Sequence, residues 1–99
     1  MSIYNVYYAK DPAYRSMEPP PALEDLPQTH ILLRKVEATS KDAVFWEMQG
    51  ENWSPMIRRL GLTHTSMSVN DVVQDESGVY WECVDVGWRE IKSRGVQHG

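Results

Sequence analysis

The sequence predicts an α+β fold: a small, mainly antiparallel sheet of about four strands with two short helices packed on one face. Three observations lead there. Residues 71–91 read as a hairpin, with two β-rich runs on either side of the polar cluster Asp75-Glu76-Ser77-Gly78. Two further runs, IYNVYY at 3–8 and THILLRKVEA at 29–38, are dense in β-branched and aromatic residues. Between the second run and the hairpin lie two helix patterns, each with its own start and stop signals.

The run at 3–8 starts almost at the terminus and is expected to tie it into the sheet. Residues 10–28 follow, with Pro12, Pro19, Pro20, Pro21 and Pro27. Consecutive prolines remove backbone donors and favour extended chain, so a long loop is expected, with a short helical turn at Ala22-Leu23-Glu24-Asp25-Leu26. In the second run Ile31 and Leu33 share one face, while Leu32 and Val36 fall partly on the other. Apolar residues on both faces predict a central strand.

Thr39-Ser40-Lys41-Asp42 is a helix-start pattern, a hydroxyl three residues before an acid. The helix is expected to continue through residue 49 and to stop at Gly50, burying Val44, Phe45 and Met48. Trp46 lies away from the centre of that stripe. Ser54 then caps a second helix, with Pro55 at its first position, Gly61 at its end, and Met56, Ile57 and Leu60 on its apolar side.

In the hairpin, residues 71–74 read as a short strand and 79–84 as a longer one. Gly78 supplies the positive φ of the turn. Trp81 and Cys83 are placed inward, because Glu82 on the opposite face favours water. Gly87 predicts a bend before a last strand at 88–91. Residues 93–99 are expected to fray.

With 99 residues the chain is expected to form a single domain, 1–99, with one modest core. No apolar run reaches the ~18 residues of a membrane helix. The N-terminus lacks a basic region followed by an apolar core, so no signal peptide is expected. A lone cysteine excludes an internal disulfide and points to a reducing compartment.

The formal net charge is −4. Between Glu37 and Asp85, the acids Glu37, Asp42, Glu47, Glu51, Asp71, Asp75, Glu76, Glu82 and Asp85 outnumber the bases Lys41, Arg58 and Arg59. Such a surface repels phosphates, which disfavours general nucleic-acid binding and is compatible with a basic protein partner.

The sequence offers no catalytic set, no cofactor motif and no metal-ligand spacing. His30, His64 and His98 are far apart and Cys83 stands alone. Ser66 shares a strand face with His64, but no orienting acid is evident. The strongest candidate is the segment MQGENWSP at 48–55, which places Trp53 among amide and carboxylate side chains between two helix ends. Gln49, Glu51, Asn52 and Trp53, with His64 beside them, are the expected partner-binding residues, because an aromatic among donors and acceptors is the mix found at interaction hot spots. The alternative is that Trp53 is a core plug and its polar neighbours cap the helices.

MQGENWSP, followed by GLTHTSMSVNDVV and a terminal VGWREI, resembles a group of small phage- and plasmid-encoded proteins of unknown function. Their pattern is MQGENWSP, then HTSMSVGDV, then a strand ending in Gly-Phe. The chain is also faintly similar to YodL-like domains, whose core is Ser-Leu-Ser-Val-x-Asp-Val followed by a strand with Cys-Asp and Gly-Phe. The resemblance covers residues 48–91 and, more weakly, the opening IYNVYYAKDP. Asn70 stands where the pattern has glycine, and asparagine tolerates left-handed backbone. Trp88 replaces a phenylalanine, and the stretch 55–63 is shorter.

The resemblance implies a setting, mobile genetic elements and the bacterial cytoplasm, and no mechanism. The expected function is a non-enzymatic accessory protein that binds a host or element-encoded protein, with inhibition of a bacterial defence system as one such role. The alternatives are a binder of a small nucleotide-like ligand in an aromatic pocket and a small enzyme. Oligomeric state is left open.

Overall fold

The structure, a computed structural model, describes residues 1–10, 22–49, 54–62 and 66–93. The strands are β1 (Ser2–Ala9), β2 (His30–Ala38), β3 (Val72–Gln74), β4 (Tyr80–Cys83) and β5 (Trp88–Ile91). They form one antiparallel sheet in the order β2-β1-β3-β4-β5. The architecture is the expected α+β one, with five strands among the described residues instead of about four.

The helices are α1 (Leu26–Thr29), α2 (Lys41–Glu47) and α3 (Ser54–Arg59), and a 3-10 turn (Leu23–Asp25) precedes α1. At the start of α2, Ser40 Oγ accepts the Ala43 N–H at 3.1 Å, an N-cap that satisfies one of the orphan donors of the first turn. Gly61 follows α3 with φ +74°, which reverses the chain at little steric cost. The helical turn expected near residues 22–26 is present. It begins with the Ala22 N–H bound to Asp25 Oδ2, and helix continues through Pro27 to Thr29, so β2 opens one residue later than the sequence implies. Residues 11–21 of the proline-rich loop and 94–99 of the tail lie outside the described residues.

One face of the sheet carries the main core. Tyr4, Val6 and Tyr8 of β1, Val73 of β3, and Leu33, Val36 and Ala38 of β2 pack with Val44 and Met48 of α2 and its C-cap, and with Ile57 of α3. A bulge sorts β2 onto this face. Val6 pairs with Arg34 and Tyr7 with Leu32, which leaves Leu33 as the extra residue. The one-residue slip changes the alternation, so Leu33 and Val36, of opposite parity, both point inward.

The central position expected for β2 is corrected: it is an edge strand, and Leu32, the apolar residue on its other face, is 47% exposed. β3 is the central strand, with Val72 and Val73 both fully buried, one on each face.

The opposite face carries a smaller cluster of Leu26, Val72 and Ile91, flanked by Tyr7, Leu23 and Tyr80. The segment 22–29 covers it, anchored where the Leu23 N–H meets the Lys92 carbonyl at 3.2 Å.

Glu82 also lies on this second face, and here the sequence expectation fails. Glu82 is fully buried, not solvated. Its partners explain why. Arg89, directly across on β5, donates to Oε1 from Nη2 at 2.6 Å and from Nε at 3.2 Å, and Asn70 Nδ2 donates to Oε2 at 2.5 Å. A buried carboxylate is tolerated when charge-assisted bonds replace its water. Trp81 and Cys83 do face the helices, but Trp81 is only half-buried. Its indole N–H donates to Asp75 Oδ2 at 3.0 Å and Lys41 Nζ sits 4.3 Å above its ring.

Candidate functional site

Of the residues expected to bind a partner, Glu51, Asn52, Trp53 and His64 lie outside the described residues. Gln49 is described, and its amide is engaged by the fold. Nε2 donates to the carbonyls of Phe45 (3.0 Å) and Met67 (3.2 Å), and the Ser66 hydroxyl donates to the Gln49 carbonyl (3.4 Å). With the Met67 N–H bound to the Met48 carbonyl, these bonds hold the end of α2 against the irregular segment that leads into β3.

Beside this junction a cleft of about 540 Å³ opens at one end of the sheet. α2 supplies Asp42, Phe45 and Trp46. The turn before β3 supplies Ser68 and Val69, and the β4 end and its turn into β5 supply Cys83, Val84, Asp85, Gly87 and Trp88. Local sequence explains the shape. Gly87, with φ +87°, closes a tight turn in which the Val84 N–H meets the Gly87 carbonyl at 3.1 Å. The turn leaves Val86 92% exposed and sets Trp88 on the helix-covered face, where its indole N–H donates to Asp42 Oδ1 at 3.0 Å. Trp46, off the buried stripe of α2 as its position implies, is 72% exposed and meets Phe45 edge-on at 5.6 Å.

The electrostatics of the cleft have one sign. Asp42 and Asp85 line it, and among the described residues none that lines it is basic. At its base Cys83 is buried, and that burial, together with the nearby carboxylates of Asp71, Glu82, Asp42 and Asp85, pushes its thiol pKa up to about 11. Cys83 is therefore a protonated thiol at neutral pH and a poor nucleophile.

A second cavity, of about 450 Å³, lies under the 22–29 segment on the other face. Its walls include Tyr7, Leu26, His30, Leu32 and Tyr80, and Lys10 brings an amine to it. Tyr7 and Tyr80 stand 5.7 Å apart, and burial with the Tyr80 contact pushes the Tyr7 hydroxyl pKa to about 12. His30 belongs to the framework. Its Nε2 lies 2.7 Å from the Asn70 carbonyl and must carry the proton, and Nδ1 lies 2.8 Å from Thr29 Oγ1. Asp71, fully buried and next to Asn70 in sequence, accepts the N–H of Ala9 (2.9 Å) and of Ser68 (2.8 Å).

Among the described residues no group of three or more His, Cys, Asp or Glu side chains is placed to hold a metal ion, and no helix is long and apolar enough to cross a membrane. No family model matches the chain, and no curated protein or solved structure is similar to it.

Sequence reasoning missed the first cleft as a site. Its elements come from residues 42–46, 68–69 and 83–88, which only the sheet order brings together. The signal available in the sequence was Trp46 itself, a large aromatic off the apolar stripe of its helix.

Proposed function

We propose that this chain is a non-enzymatic accessory protein, carried by a phage or plasmid, that binds a host or element-encoded protein in the bacterial cytoplasm. The observation that carries the protein-binding reading is Trp46, 72% exposed on the rim of an aromatic cleft. Burying an exposed tryptophan on association releases more apolar surface from water than almost any other side chain can, and tryptophan is enriched among interface residues that dominate affinity. Exposed Val69 also lines the cleft, and Val86, in the β4–β5 turn whose other residues line it, is exposed as well. The mobile-element setting rests on the resemblance of residues 48–91 alone, and inhibition of a bacterial defence protein is one role that a small, acidic binder of this kind serves.

Site-specific photo-crosslinking in bacterial cells tests this reading. A photoreactive phenylalanine analogue at position 46 is expected to give one discrete adduct with another protein, and the same analogue at Glu37, on the exposed face of β2, is expected to give none. Indistinguishable adduct patterns from the two positions would remove the cleft as the binding surface.

A second reading, a binder of a small nucleotide-like ligand, is favoured by the paired Tyr7 and Tyr80 rings in the other cavity. Saturation-transfer measurements with adenosine monophosphate test it: enhancement of base protons that disappears in Tyr80→Ala supports this reading, and its absence sets the reading aside.

A further inference from the structure

We infer that the cleft between α2 and the β4–β5 turn receives an arginine side chain from a basic segment of the protein partner. This rests on the protein-binding reading and adds the chemistry of what is bound.

Asp42, Phe45, Trp46, Val84, Asp85 and Trp88 give the cleft aromatic and carboxylate walls, and among the described residues no lysine, arginine or histidine lines it. The cations of this neighbourhood are directed elsewhere: Lys41 lies over Trp81, and Arg89 is held by Glu82 on the opposite face of the sheet. An uncharged apolar occupant would desolvate Asp42 and Asp85 without compensation, which is unfavourable for a carboxylate. A cationic occupant compensates both and is also attracted to the face of an indole, the best aromatic partner for a cation.

Arginine fits better than lysine. Its guanidinium is planar, stacks on aromatic faces, is more weakly hydrated than an ammonium and donates in a fork to a carboxylate. Trp46 offers an open ring and Asp85 an exposed carboxylate. Asp42 accepts the Trp88 indole N–H through Oδ1, and a carboxylate has lone pairs for further donors. The bond between Asp42 and Trp88 also fixes the cleft wall before binding, so little ordering is required on association. At about 540 Å³ the cleft has room for flanking residues as well, so the occupant is a short segment around the arginine.

The test uses the full chain and three peptides, acetyl-Gly-Leu-Arg-Leu-Gly-amide and its lysine and citrulline counterparts. Citrulline keeps the shape of arginine and removes its charge. Binding is followed by the indole N–H resonances in nitrogen–proton correlation spectra, with Trp46→Phe and Trp88→Phe assigning the signals. The arginine peptide is expected to move the Trp46 and Trp88 signals saturably, with the citrulline peptide about tenfold weaker, the scale of losing a charge-assisted bond. Asp85→Asn is expected to weaken the arginine peptide about fivefold or more and to leave the citrulline peptide unchanged.

Equal affinity for the arginine and citrulline peptides overturns the inference, as does movement confined to other resonances or no movement at about 5 mM peptide. A lysine peptide that binds as well as the arginine peptide overturns the choice of arginine. A crosslink from position 46 together with any of these results leaves the protein-binding reading standing and ends the arginine assignment. Loss of the crosslink as well ends both.

Discussion

The two faces of the sheet are built from the same five strands and hold together by different physics. On the face under α2 and α3 the contacts are apolar and continuous, from Tyr4, Val6 and Tyr8 through Val73 to Val44 and Met48. On the other face the apolar cluster is small, and beside it lies a buried polar network joining Glu82 to Arg89 and Asn70. Apolar burial scales with area and is largely indifferent to direction. Hydrogen bonds are directional, and a buried group left without one is costly. The first face therefore supplies most of the driving force. The second fixes alignment, because slipping β4 by one residue would turn Glu82 into the apolar core and Trp81 away from it.

The largest expected effect is on the apolar face. Met48 is fully buried beneath α2, so Met48→Ala should cost about 2–5 kcal/mol in urea unfolding, the range for truncating a buried methionine. Trp81→Ala should cost less than the ~3–5 kcal/mol of a fully enclosed tryptophan, because its ring is half-exposed. If Trp81→Ala costs more than Met48→Ala, the core is centred on the hairpin instead of on α2.

The next effect probes the polar face. Arg89→Ala leaves the Glu82 carboxylate buried with Asn70 as its remaining side-chain partner. Removing one member of a fully buried pair costs about 3–5 kcal/mol, and the half-exposed Arg89 side chain brings the expectation down to about 2–3 kcal/mol. The double variant Glu82→Gln/Arg89→Ala should recover part of that loss, since no charge is then left unpaired. Equal stability of the single and double variants would mean that Arg89 acts through its packing, and the contrast between the faces would narrow to one of area.

How much of this was legible in the sequence follows the same division. Strands and helices whose sides are apolar announced themselves by period, and the turns by Gly61 and Gly78, both at positive φ as their positions require. Asn70, at φ +81°, takes the left-handed conformation that asparagine was expected to tolerate there. Glu82 was misread because a lone acid in a strand looks solvated, and only the pairing of β4 with β5 brings Arg89 opposite it. β2 was misread as central because the bulge at Leu33, invisible to an alternation count, puts Leu33 and Val36 on one side and leaves Leu32 alone on the other. The cleft escaped for a similar reason: three chain segments form it, and no local pattern links Trp46 to Trp88.

Smaller effects lie at the hairpin tip that both faces share. Gly78 has φ +89°, so Gly78→Val should destabilise by about 1–3 kcal/mol through backbone strain, although nothing stands near an added Cβ. Asp75 organises this turn, accepting the N–H groups of Ser77 and Val79 through Oδ1 and the Trp81 indole through Oδ2. Burial raises its pKa, but the Trp81, Val79 and Ser77 donors and the nearby Lys41 outweigh that, and its carboxyl lies below the usual range. A carboxyl that titrates lower when folded contributes stability above its unfolded pKa and loses it as pH falls through the folded one. Thermal melts below about pH 4 should thus fall more steeply for the native chain than for Asp75→Asn. Parallel curves would place the acid sensitivity on other carboxylates.

The smallest effect on stability is expected where the effect on function is largest. Trp46 is 72% exposed and its ring meets Phe45 only edge-on, so folding gains little from it. Trp46→Ala should leave unfolding free energy within about 0.5 kcal/mol of the native chain, as for surface positions generally. The same substitution removes the ring proposed to receive the partner's guanidinium, so binding of the arginine peptide should be lost while the melting curve stays in place. The Asn52→Ala/Trp53→Ala variant makes the comparison sharper, because the sequence leads to the expectation that a partner binds at that loop. Loss of binding in Trp46→Ala alone assigns recognition to the cleft, and loss in both joins the two into one surface. A fall of several degrees in the melting temperature of Trp46→Ala would instead make Trp46 part of the packing of α2. The contrast between a face built for stability and a rim left open for recognition would then fail at the residue on which it depends most.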